Sequence, residues 1–346
     1  MQTRVCRLHG QHDIRIETVV IGDPGEGEVM IAIGAGGICG SDLHYYQDGG
    51  FGPIRVREPI ILGHEIAGTV EAVGHGVTRV APGDRVALNP SRPCGHCQFC
   101  VEKLYQHCLE MRFYGSAMRI PHEQGAFRDR IIAHDVQCEK VSENTSIAQA
   151  ACAEPLAVCL HAANRAGDLN GKRVLVTGAG PIGSLCVAVA RQRGASEIVV
   201  TDLQNTTLEF ATKMGATHTI NVAENAGAMD AYGGDKGYFD ICFECSAARA
   251  AICNAITCVR PQGTIVQVGV TGDVPVPVNQ IVGKEIALTG THRFHAEFIE
   301  AVNLIDTGTI DVAPIITGTY PLEQALEAFE VAGDRSRSIK VQLSFT

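Results

Sequence analysis

The second half of the chain alternates short apolar runs with helical patterns, and this alternation constrains the fold more than any other feature. Helical periodicity occupies residues 184–193 and 206–214. Strands that alternate with helices in this way imply right-handed crossovers and a parallel sheet. We therefore predict an α/β, doubly wound domain whose strands cover residues 173–177, 197–202, 239–244, 264–270 and 286–291.

The first third of the chain has a different character, because it is rich in glycine and in short alternating runs. Apolar runs at 29–33 and 66–73 predict strands, and Pro82-Gly83-Asp84 predicts a turn. The pattern changes near residue 145, where an alanine-rich helical stretch over 147–167 begins. The first part is therefore predicted to be a β-rich module that is distinct from the doubly wound domain.

The C-terminal segment is predicted to rejoin that β-rich module. Helical patterns at 297–306 and 322–332 precede an alternating run at 339–344, whose period of two suits a strand. A length of 346 residues favours about two domains. We predict a β-rich domain, 1–150 completed by 295–346, and a doubly wound domain, 151–294.

A glycine-rich turn joins the first predicted strand of the doubly wound domain to its first helix. This context fits a dinucleotide site, because the helix N-terminus offers free N–H groups and a positive dipole end to a pyrophosphate. Asp202 ends the next strand, 22 residues after Gly180, where a ribose-binding carboxylate is expected. The alternative is a glycine turn without a ligand. The turn contains Gly178, Gly180, Pro181, Ile182 and Gly183.

Asp202 also favours one nicotinamide cofactor over the other. A carboxylate at this position repels the 2′-phosphate of NADP, and residues 203–207 supply no cation to attract it. The sequence therefore predicts NAD as the cofactor.

Four closely spaced cysteines indicate a structural metal site. Their pattern, Cys94-x2-Cys97-x2-Cys100-x7-Cys108, can close a tetrahedral zinc site with four sulfur ligands. The chain has fourteen cysteines, and no apolar leader is visible in its first ten residues. We therefore expect reduced thiols, mostly buried small side chains apart from the metal ligands, and a cytoplasmic location.

A second set of residues mixes ligand types and predicts a catalytic zinc site. Cys39 and His64 form the natural pair, and Glu65 is expected either to bind the metal or to support a ligand. Glu154 lies where the chain enters the second domain, so a cleft between domains could bring it near. Taken singly, these residues could be a core cysteine, a hydrogen-bonded histidine and a capping glutamate. Next to a dinucleotide fold, the set indicates a zinc with an open position for a substrate oxygen.

Ser41 and His44 follow Cys39 closely and are candidates for proton transfer. A hydroxyl beside the metal can take the proton of a bound alcohol, and a nearby imidazole can pass it to water. The alternative role for both residues is ordinary turn chemistry.

Composition excludes several kinds of partner. A net charge of −10 argues against nucleic acid, which requires a basic face. The sequence contains no run of about 18 uncharged apolar residues, so a membrane partner is not expected.

The motifs above resemble those of the zinc-containing medium-chain dehydrogenase/reductase superfamily, over essentially the whole chain. The resemblance implies a GroES-like catalytic domain joined to a Rossmann domain. It implies Cys39, His64 and Glu154 around the catalytic zinc, with Glu65 able to enter or leave the coordination shell of the metal. It also implies that Ser41 and His44 form the proton relay. It also implies NAD contacts at Ile182, Asp202, Val268, Gly269, Val270 and the segment 290–293, which includes Thr291.

Glutamate at position 154 resembles the sorbitol (polyol) dehydrogenase branch, since the alcohol dehydrogenases carry cysteine there. In that branch the positions of Tyr45, Glu154 and Arg293 lie against the sugar chain. Thr207 departs from the branch, which often has an adenosine-binding arginine at this position. The resemblance further implies two zinc ions per chain, hydride transfer between a sugar-type secondary alcohol and NAD, and a homotetramer or homodimer.

The sequence leaves the substrate open between a sugar acid and a neutral polyol. A sugar acid carries a carboxylate, which needs a cation or a helix N-terminus. The candidates for this contact are Arg112, Arg119, His122 and Arg293. We favour the sugar acid; the rivals are a sorbitol-, xylitol- or galactitol-type dehydrogenase and, more remotely, a non-catalytic NAD-binding protein with the same fold.

Overall fold

The computed structural model describes residues 1–225 and 227–345 and contains two large sheets. One sheet is mostly antiparallel, and the strand Arg130–His134 joins it by pairing with Glu28–Gly37. Along the rest of this sheet the order is Cys138–Val141, Arg85–Leu88, Glu65–Val73, Glu28–Gly37, Lys340–Ser344 and Ile316–Pro321.

The second large sheet is parallel and has six strands. Its central strand, Arg173–Thr177, pairs with Glu197–Asp202 on one side and Phe239–Glu244 on the other. Across the sheet the order is His218–Asn221, Glu197–Asp202, Arg173–Thr177, Phe239–Glu244, Val259–Gln267 and Ala287–Gly290. This is the predicted α/β, doubly wound architecture, and it places the carboxyl ends of the strands along one edge.

Three smaller sheets complete the β-rich part. They comprise Gln2–Gly10 with Asp13–Val20 and Ile60–Ile61, Gly50–Phe51 with Ile54–Arg55, and Ser91–Arg92 with Arg112–Phe113. The α-helices cover Gly40–Asp48, Gln98–Val101, Ile147–Ala150, Ala153–Ala166, Pro181–Gln192, Asn205–Lys213, Asp230–Gly233, Arg249–Cys258, Val278–Lys284, Glu297–Asp306 and Ala325–Gly333. Short 3-10 turns lie at Tyr105–His107, Asp135–Gln137, Gly234–Lys236, Ala313–Ile315 and Leu322–Gln324.

The helix Ala153–Ala166 connects the two large sheets through one continuous core. Its apolar face is fully buried and shares a cluster with Ala67 and Ala87 of the antiparallel sheet. The same cluster contains Val174 and Val176 from the centre of the parallel sheet. The first turn of this helix therefore lies at the junction of the two parts of the molecule.

Three of the five predicted strands of the second sheet have the predicted bounds, and two do not. The strand predicted at 264–270 covers Val259–Gln267, so Val268, Gly269 and Val270 lie beyond it. The strand predicted at 286–291 is the shorter Ala287–Gly290. The edge strand His218–Asn221 was not predicted, because it is polar and largely exposed. The C-terminal strand does return to the first sheet, but the domain limits at 150 and 294 stay a prediction.

Among the residues that the structure describes, none of the helices combines the length and the apolar character needed to span a bilayer.

Candidate active site

The fold brings Cys39, His64 and Glu65 together from two neighbouring segments. Cys39 immediately precedes the helix Gly40–Asp48. His64 immediately precedes the strand Glu65–Val73, and Glu65 is its first residue. One ligand atom from each of the three residues lies within 4.8 Å of the other two. Gly37 faces Glu65 across the sheet, and a β-carbon there would lie 2.1 Å from the Glu65 Oε2. Glycine at this position therefore leaves room for the Glu65 side chain.

Asp42 supports this group from behind, and the sequence analysis missed it. The side chain is fully buried, and Oδ2 accepts a hydrogen bond from the Cys39 amide at 3.0 Å. Oδ1 lies 3.7 Å from His64 Nδ1, a buried nitrogen with no hydrogen-bond partner among the described residues. Burial raises the pKa of Asp42, and His64 opposes that shift. The carboxylate is thus placed to orient the imidazole of His64.

Lys340 is the second group that the sequence analysis missed. Its ammonium donates to both carboxylate oxygens of Glu65 at 2.7 Å and to the Ile38 carbonyl at 3.2 Å. Both side chains of this pair are 2 % exposed. Burial disfavours the charged ammonium, but Glu65 outweighs burial and raises the pKa of Lys340. A buried charge pair of this kind fixes the position of the Glu65 side chain next to Cys39.

Glu154 is buried near this group but is not part of its close set. It lies in the first turn of the helix Ala153–Ala166 and is 5 % exposed. Burial raises the pKa of Glu154 to about 8, with His64 opposing and Glu65 and Cys39 adding to the shift. Those charges place the side chain near Cys39, His64 and Glu65.

The donor set fits a zinc ion that has a position open to a substrate. It offers one sulfur, one imidazole nitrogen and one carboxylate, with a second carboxylate close by. Burial raises the pKa of the Cys39 thiol to about 12, so a cation is needed to hold the thiolate. The roles of the individual ligands stay a prediction.

Ser41 and His44 lie on the helix that follows Cys39. The Ser41 hydroxyl is close enough to the Cys39 sulfur to lower the pKa of its thiol by hydrogen bonding. His44 is exposed, and its Nδ1 lies 2.9 Å from Asp48 Oδ2. It borders a cavity of about 570 Å³ between the two parts of the molecule, whose opposite wall includes Val270. Ser41 thus lies next to the Cys39 sulfur, and His44 lies on the solvent side of the helix.

Tyr45 and Arg293 converge on the Glu154 side of the pocket. The Tyr45 hydroxyl, which is buried, accepts a hydrogen bond from the Ala117 amide at 3.3 Å. Burial lowers the pKa of Arg293, and the nearby charges of Glu154 and Tyr45 oppose that shift. The Arg293 guanidinium carbon lies 4.1 Å from the ring centre of Phe113. The backbone of Arg293 has a φ of 52°, which is unusual for a residue with a side chain. A strained backbone that points a cation into a pocket is typical of a binding residue.

The other candidate carboxylate-binding residues differ in their availability. His122 is engaged at both ring nitrogens, with the Arg57 amide and with the Arg119 carbonyl. Arg112 lies 3.5 Å from Glu123. The Arg119 guanidinium makes no ion pair within the described part of the chain, as is also true of Arg293. Only Arg293 is placed beside Glu154 and Tyr45 by its electrostatic neighbours.

The four clustered cysteines come together as their spacing predicted. Ligand atoms of Cys94, Cys97, Cys100 and Cys108 all lie within 4.8 Å of one another. Backbone amides donate to these sulfurs, among them the Cys94 amide to the Cys108 sulfur at 3.2 Å and the Cys97 amide to the Cys94 sulfur at 3.4 Å. Hydrogen bonds from the backbone of Leu109 and Cys100 lower the pKa of Cys97 to about 6. Four thiols held in this way fit a closed structural zinc site.

Gly178, the first glycine of the glycine-rich turn, lines a cavity of about 360 Å³ at the carboxyl edge of the parallel sheet. Gly178 has a φ of 86°, and a β-carbon on Gly183 would lie 1.8 Å from the Gly178 carbonyl oxygen. The helix Pro181–Gln192 begins directly after Gly180, and Ile182 lies in its first turn. Asp202 lines the cavity, and its Oδ2 accepts from the Ala179 amide at 2.6 Å. This cradle fits a dinucleotide.

The remaining cofactor candidates lie at the ends of the next strands. The amides of Val268 and Gly269 both donate to the Glu244 carbonyl, at 2.9 and 2.8 Å. Val270 is 65 % exposed and borders the cavity beside His44. Thr291 Oγ1 is buried and has no hydrogen-bond partner among the described residues.

These two sites and the two sheets define a class of protein, and comparisons with known families agree. Residues 25–143 match the alcohol dehydrogenase GroES-like domain, and residues 181–307 match the zinc-binding dehydrogenase family. The chain therefore belongs to the zinc-containing medium-chain dehydrogenases, in the branch of the sorbitol and idonate enzymes.

Individual relatives cover the whole chain. L-idonate 5-dehydrogenase (NAD(P)(+)) of Escherichia coli strain K12 is 39 % identical over 346 residues, which is 100 % of this chain and 99 % of that protein. A crystal structure of L-idonate 5-dehydrogenase from Escherichia coli has a TM-score of 0.94 at 38 % identity and covers 99 % of that chain. Sorbitol dehydrogenase of Bacillus subtilis strain 168 is 36 % identical over 94 % of this chain and 92 % of its own length.

Proposed function

We propose that the chain is an NAD-dependent L-idonate 5-dehydrogenase that interconverts L-idonate and 5-ketogluconate. The observation that carries the sugar-acid assignment is Arg293, a cation without an ion pair among the described residues, which lies beside Glu154 and Tyr45. A guanidinium can bind a carboxylate through two parallel hydrogen bonds. The full-length similarity to the idonate enzyme supports the same substrate.

The Cys39, His64 and Glu65 group is the proposed catalytic zinc site, with Glu154 as an additional carboxylate. Zinc held there supplies a Lewis acid that lowers the pKa of a hydroxyl placed against it. Asp42 fixes the ring of His64, and Lys340 fixes the carboxylate of Glu65. Cys94, Cys97, Cys100 and Cys108 are the proposed ligands of a structural zinc.

Oxidation removes a proton and a hydride from the substrate, and the two go to different acceptors. We propose that Ser41 receives the proton of the C5 hydroxyl and that His44 passes it to water, since His44 is the exposed member of the pair. The hydrogen on C5 leaves with its electron pair to the nicotinamide ring, so that the carbon becomes a ketone. The residues Ile182, Val268, Gly269, Val270 and Thr291 are the proposed contacts that position the cofactor.

NAD is the proposed cofactor because of the place of Asp202. Its carboxylate lines the nucleotide cavity and stays bound to the turn amide of Ala179. A 2′-phosphate at this position would meet a negative charge.

The proposed domain limits, location and assembly rest on the fold and the cysteines. We propose a GroES-like domain of residues 1–150 completed by 295–346, and a Rossmann domain of 151–294. A cytoplasmic location suits the fourteen cysteines, of which none is in a disulfide in the described structure. The proposed assembly is a homodimer or homotetramer.

The experiment that tests the function compares NADH formation by the purified, zinc-loaded enzyme on five substrates. L-idonate, D-gluconate, sorbitol, xylitol and galactitol are offered under the same conditions. We expect turnover on L-idonate, and we expect Arg293→Ala to raise the KM for L-idonate far more than for any neutral polyol it accepts. Arg112→Ala serves as the control, since this arginine is already paired with Glu123.

The outcomes separate the rival functions. Turnover on a neutral polyol with L-idonate ignored would reject the sugar acid and favour a sorbitol-type dehydrogenase. Binding of NADH without turnover of any of the five would favour a non-catalytic nucleotide-binding protein.

A further inference from the structure

A single arginine from the C-terminal segment reaches the nucleotide cavity. Arg335 follows the helix Ala325–Gly333 and precedes the strand Lys340–Ser344, which belongs to the antiparallel sheet. It nevertheless lines the cavity together with Gly178 and Asp202 of the doubly wound part. Among the described residues around this cavity, it is the only cationic side chain.

The guanidinium lies over the glycine-rich turn. Its Nη1 is 3.6 Å from the position that a β-carbon on Gly180 would occupy. Gly180 is the residue from which the helix Pro181–Gln192 begins. The arginine therefore approaches the N-terminus of this helix, where the first backbone amides have no partner within the helix.

The arginine has no other partner in the described part of the chain. No ion pair or side-chain hydrogen bond involves its guanidinium there. Its loop is fixed nonetheless, because Ser338 Oγ donates to the Val331 carbonyl at 2.7 Å and the Ser336 amide donates to Asp334 Oδ1 at 3.0 Å. The loop thus holds an available cation above the turn.

The adenosine side of the cavity lacks a cation from the doubly wound part itself. Thr207 is 1 % exposed and donates to the Gln204 carbonyl at 2.8 Å, so its hydroxyl caps the local backbone. Asp202 occupies the ribose end of the cavity with a negative charge. A cation over the turn is therefore placed for a phosphate near Gly180.

We propose that Arg335 binds the pyrophosphate of the dinucleotide from across the cleft. This inference rests on the proposed nicotinamide cofactor, and it adds a positioning residue contributed by the catalytic part of the chain. A guanidinium and the helix N-terminus then hold the pyrophosphate from two sides.

The test measures binding, without turnover, to the purified enzyme and to Arg335→Ala. ADP-ribose carries the pyrophosphate and adenosine does not, so their dissociation constants are measured by calorimetry. We expect Arg335→Ala to weaken ADP-ribose by about tenfold, as for a lost hydrogen bond to a charged group. Adenosine is expected to bind both proteins equally, and Arg335→Lys is expected to recover part of the ADP-ribose affinity.

Arg337→Ala is the matched control, because Arg337 lies in the same loop, is exposed and does not line the cavity. It should leave both ligands unaffected. Equal binding of ADP-ribose to Arg335→Ala and wild type would overturn the proposal, as would a loss confined to ADP-ribose 2′-phosphate. A wild-type protein that binds neither ADP-ribose nor NADH would instead overturn the proposed function itself.

Discussion

Two buried charged residues show what single positions contribute to the candidate zinc site. Asp42 lies within a motif that the sequence analysis used, yet only its neighbours Ser41 and His44 were selected there. Asp42 is the third residue of the helix Gly40–Asp48, where an acidic side chain often accepts a hydrogen bond from the amide that precedes the helix. This capping pattern was the signal that could have found it. Lys340 had no local signal, because a lysine in an alternating strand usually faces solvent. Only the fold brings it to Glu65, 275 residues away in the chain.

Replacing Asp42 with asparagine tests its support of His64. The amide cannot supply the negative charge that stabilises the ligand imidazole, so we expect Asp42→Asn to weaken binding at the catalytic zinc site by about 10- to 100-fold. Competition with a chromophoric chelator measures the affinity, and the four-cysteine site provides an internal reference. Asp48→Asn, an exposed acid at the end of the same helix, should bind zinc normally. Equal affinities of Asp42→Asn and wild type would contradict the role.

At the scale of elements, strands with apolar side chains were predictable and strands with turn-type residues were not. The central strands of the parallel sheet are continuous apolar runs, because both faces are covered. The strand Val259–Gln267 begins with a segment containing Pro261 and Gly263, residue types that normally indicate a turn, so its start was predicted five residues late. The edge strand His218–Asn221 buries too little to show any period.

Glu297 connects two helices, and its contribution to stability depends on pH. Burial opposes its charge, but hydrogen bonds from His161 at 2.9 Å, the His295 amide and Asn164 outweigh burial and lower the pKa of Glu297 from 4.5 to about 2. A carboxyl whose folded pKa is below its unfolded value stabilises the fold above pH 4.5, and this contribution is lost as the pH falls towards 2.

Glu297→Gln is therefore expected to lower the free energy of unfolding by about 2 kcal/mol at neutral pH, with a difference that shrinks below about pH 4.5. Urea unfolding at a series of pH values measures it. Glu300→Gln is the control, because Glu300 lies in the same helix as Glu297 but its ion pair with Arg193 is exposed. This substitution should change the free energy of unfolding by less than about 1 kcal/mol. A difference that grows with acidity would refute the assignment.

The segment 94–108, which we call the four-cysteine lobe, contacts the segment that carries Thr291 and Arg293. His107 stacks on His292 with ring centres 5.7 Å apart, and the rings of Tyr105 and His295 lie 4.1 Å apart. The lobe thus supports the backbone on both sides of the predicted substrate contact. A metal that fixes this lobe also fixes the position of the Arg293 segment.

We expect His107→Ala to raise the KM for the substrate by about two- to tenfold, the range given by the loss of one aromatic contact, with a smaller change in kcat. Steady-state kinetics and the zinc content of the purified variant measure the effect. Val101→Ala changes an exposed residue of the same lobe and should behave like wild type. The idea fails if His107→Ala keeps the wild-type KM while retaining two zinc ions.

At the scale of the whole molecule, the parallel sheet ends in a strand with an open edge. Ala287–Gly290 pairs with Val259–Gln267 on one side only, within the part of the chain that the structure describes. Exposed apolar residues lie on it and on the preceding helix, with Val278 59 %, Val282 71 % and Leu288 43 % exposed. Monomers usually cover or charge such an edge. A second copy of the chain would cover it.

Light scattering after gel filtration tests this assembly. We expect wild type to be a dimer or tetramer and Leu288→Lys to shift the population to smaller species, because the added charge faces the proposed interface. Val20→Lys, at an exposed position on a different sheet, should not change the mass. A monomeric wild type would rule the interface out.

The Glu65–Lys340 pair joins two residues that are synthesised far apart in time, because 275 residues separate them in the chain. Cys94 to Cys108 are translated as one short stretch, so this cluster can capture zinc while most of the chain is still on the ribosome. The catalytic group cannot reach its final form at that stage, because the lysine that neutralises Glu65 is made about three hundred codons after Cys39. We therefore expect the nascent protein to bind metal in two stages, first at the four cysteines and last at the group that contains Cys39.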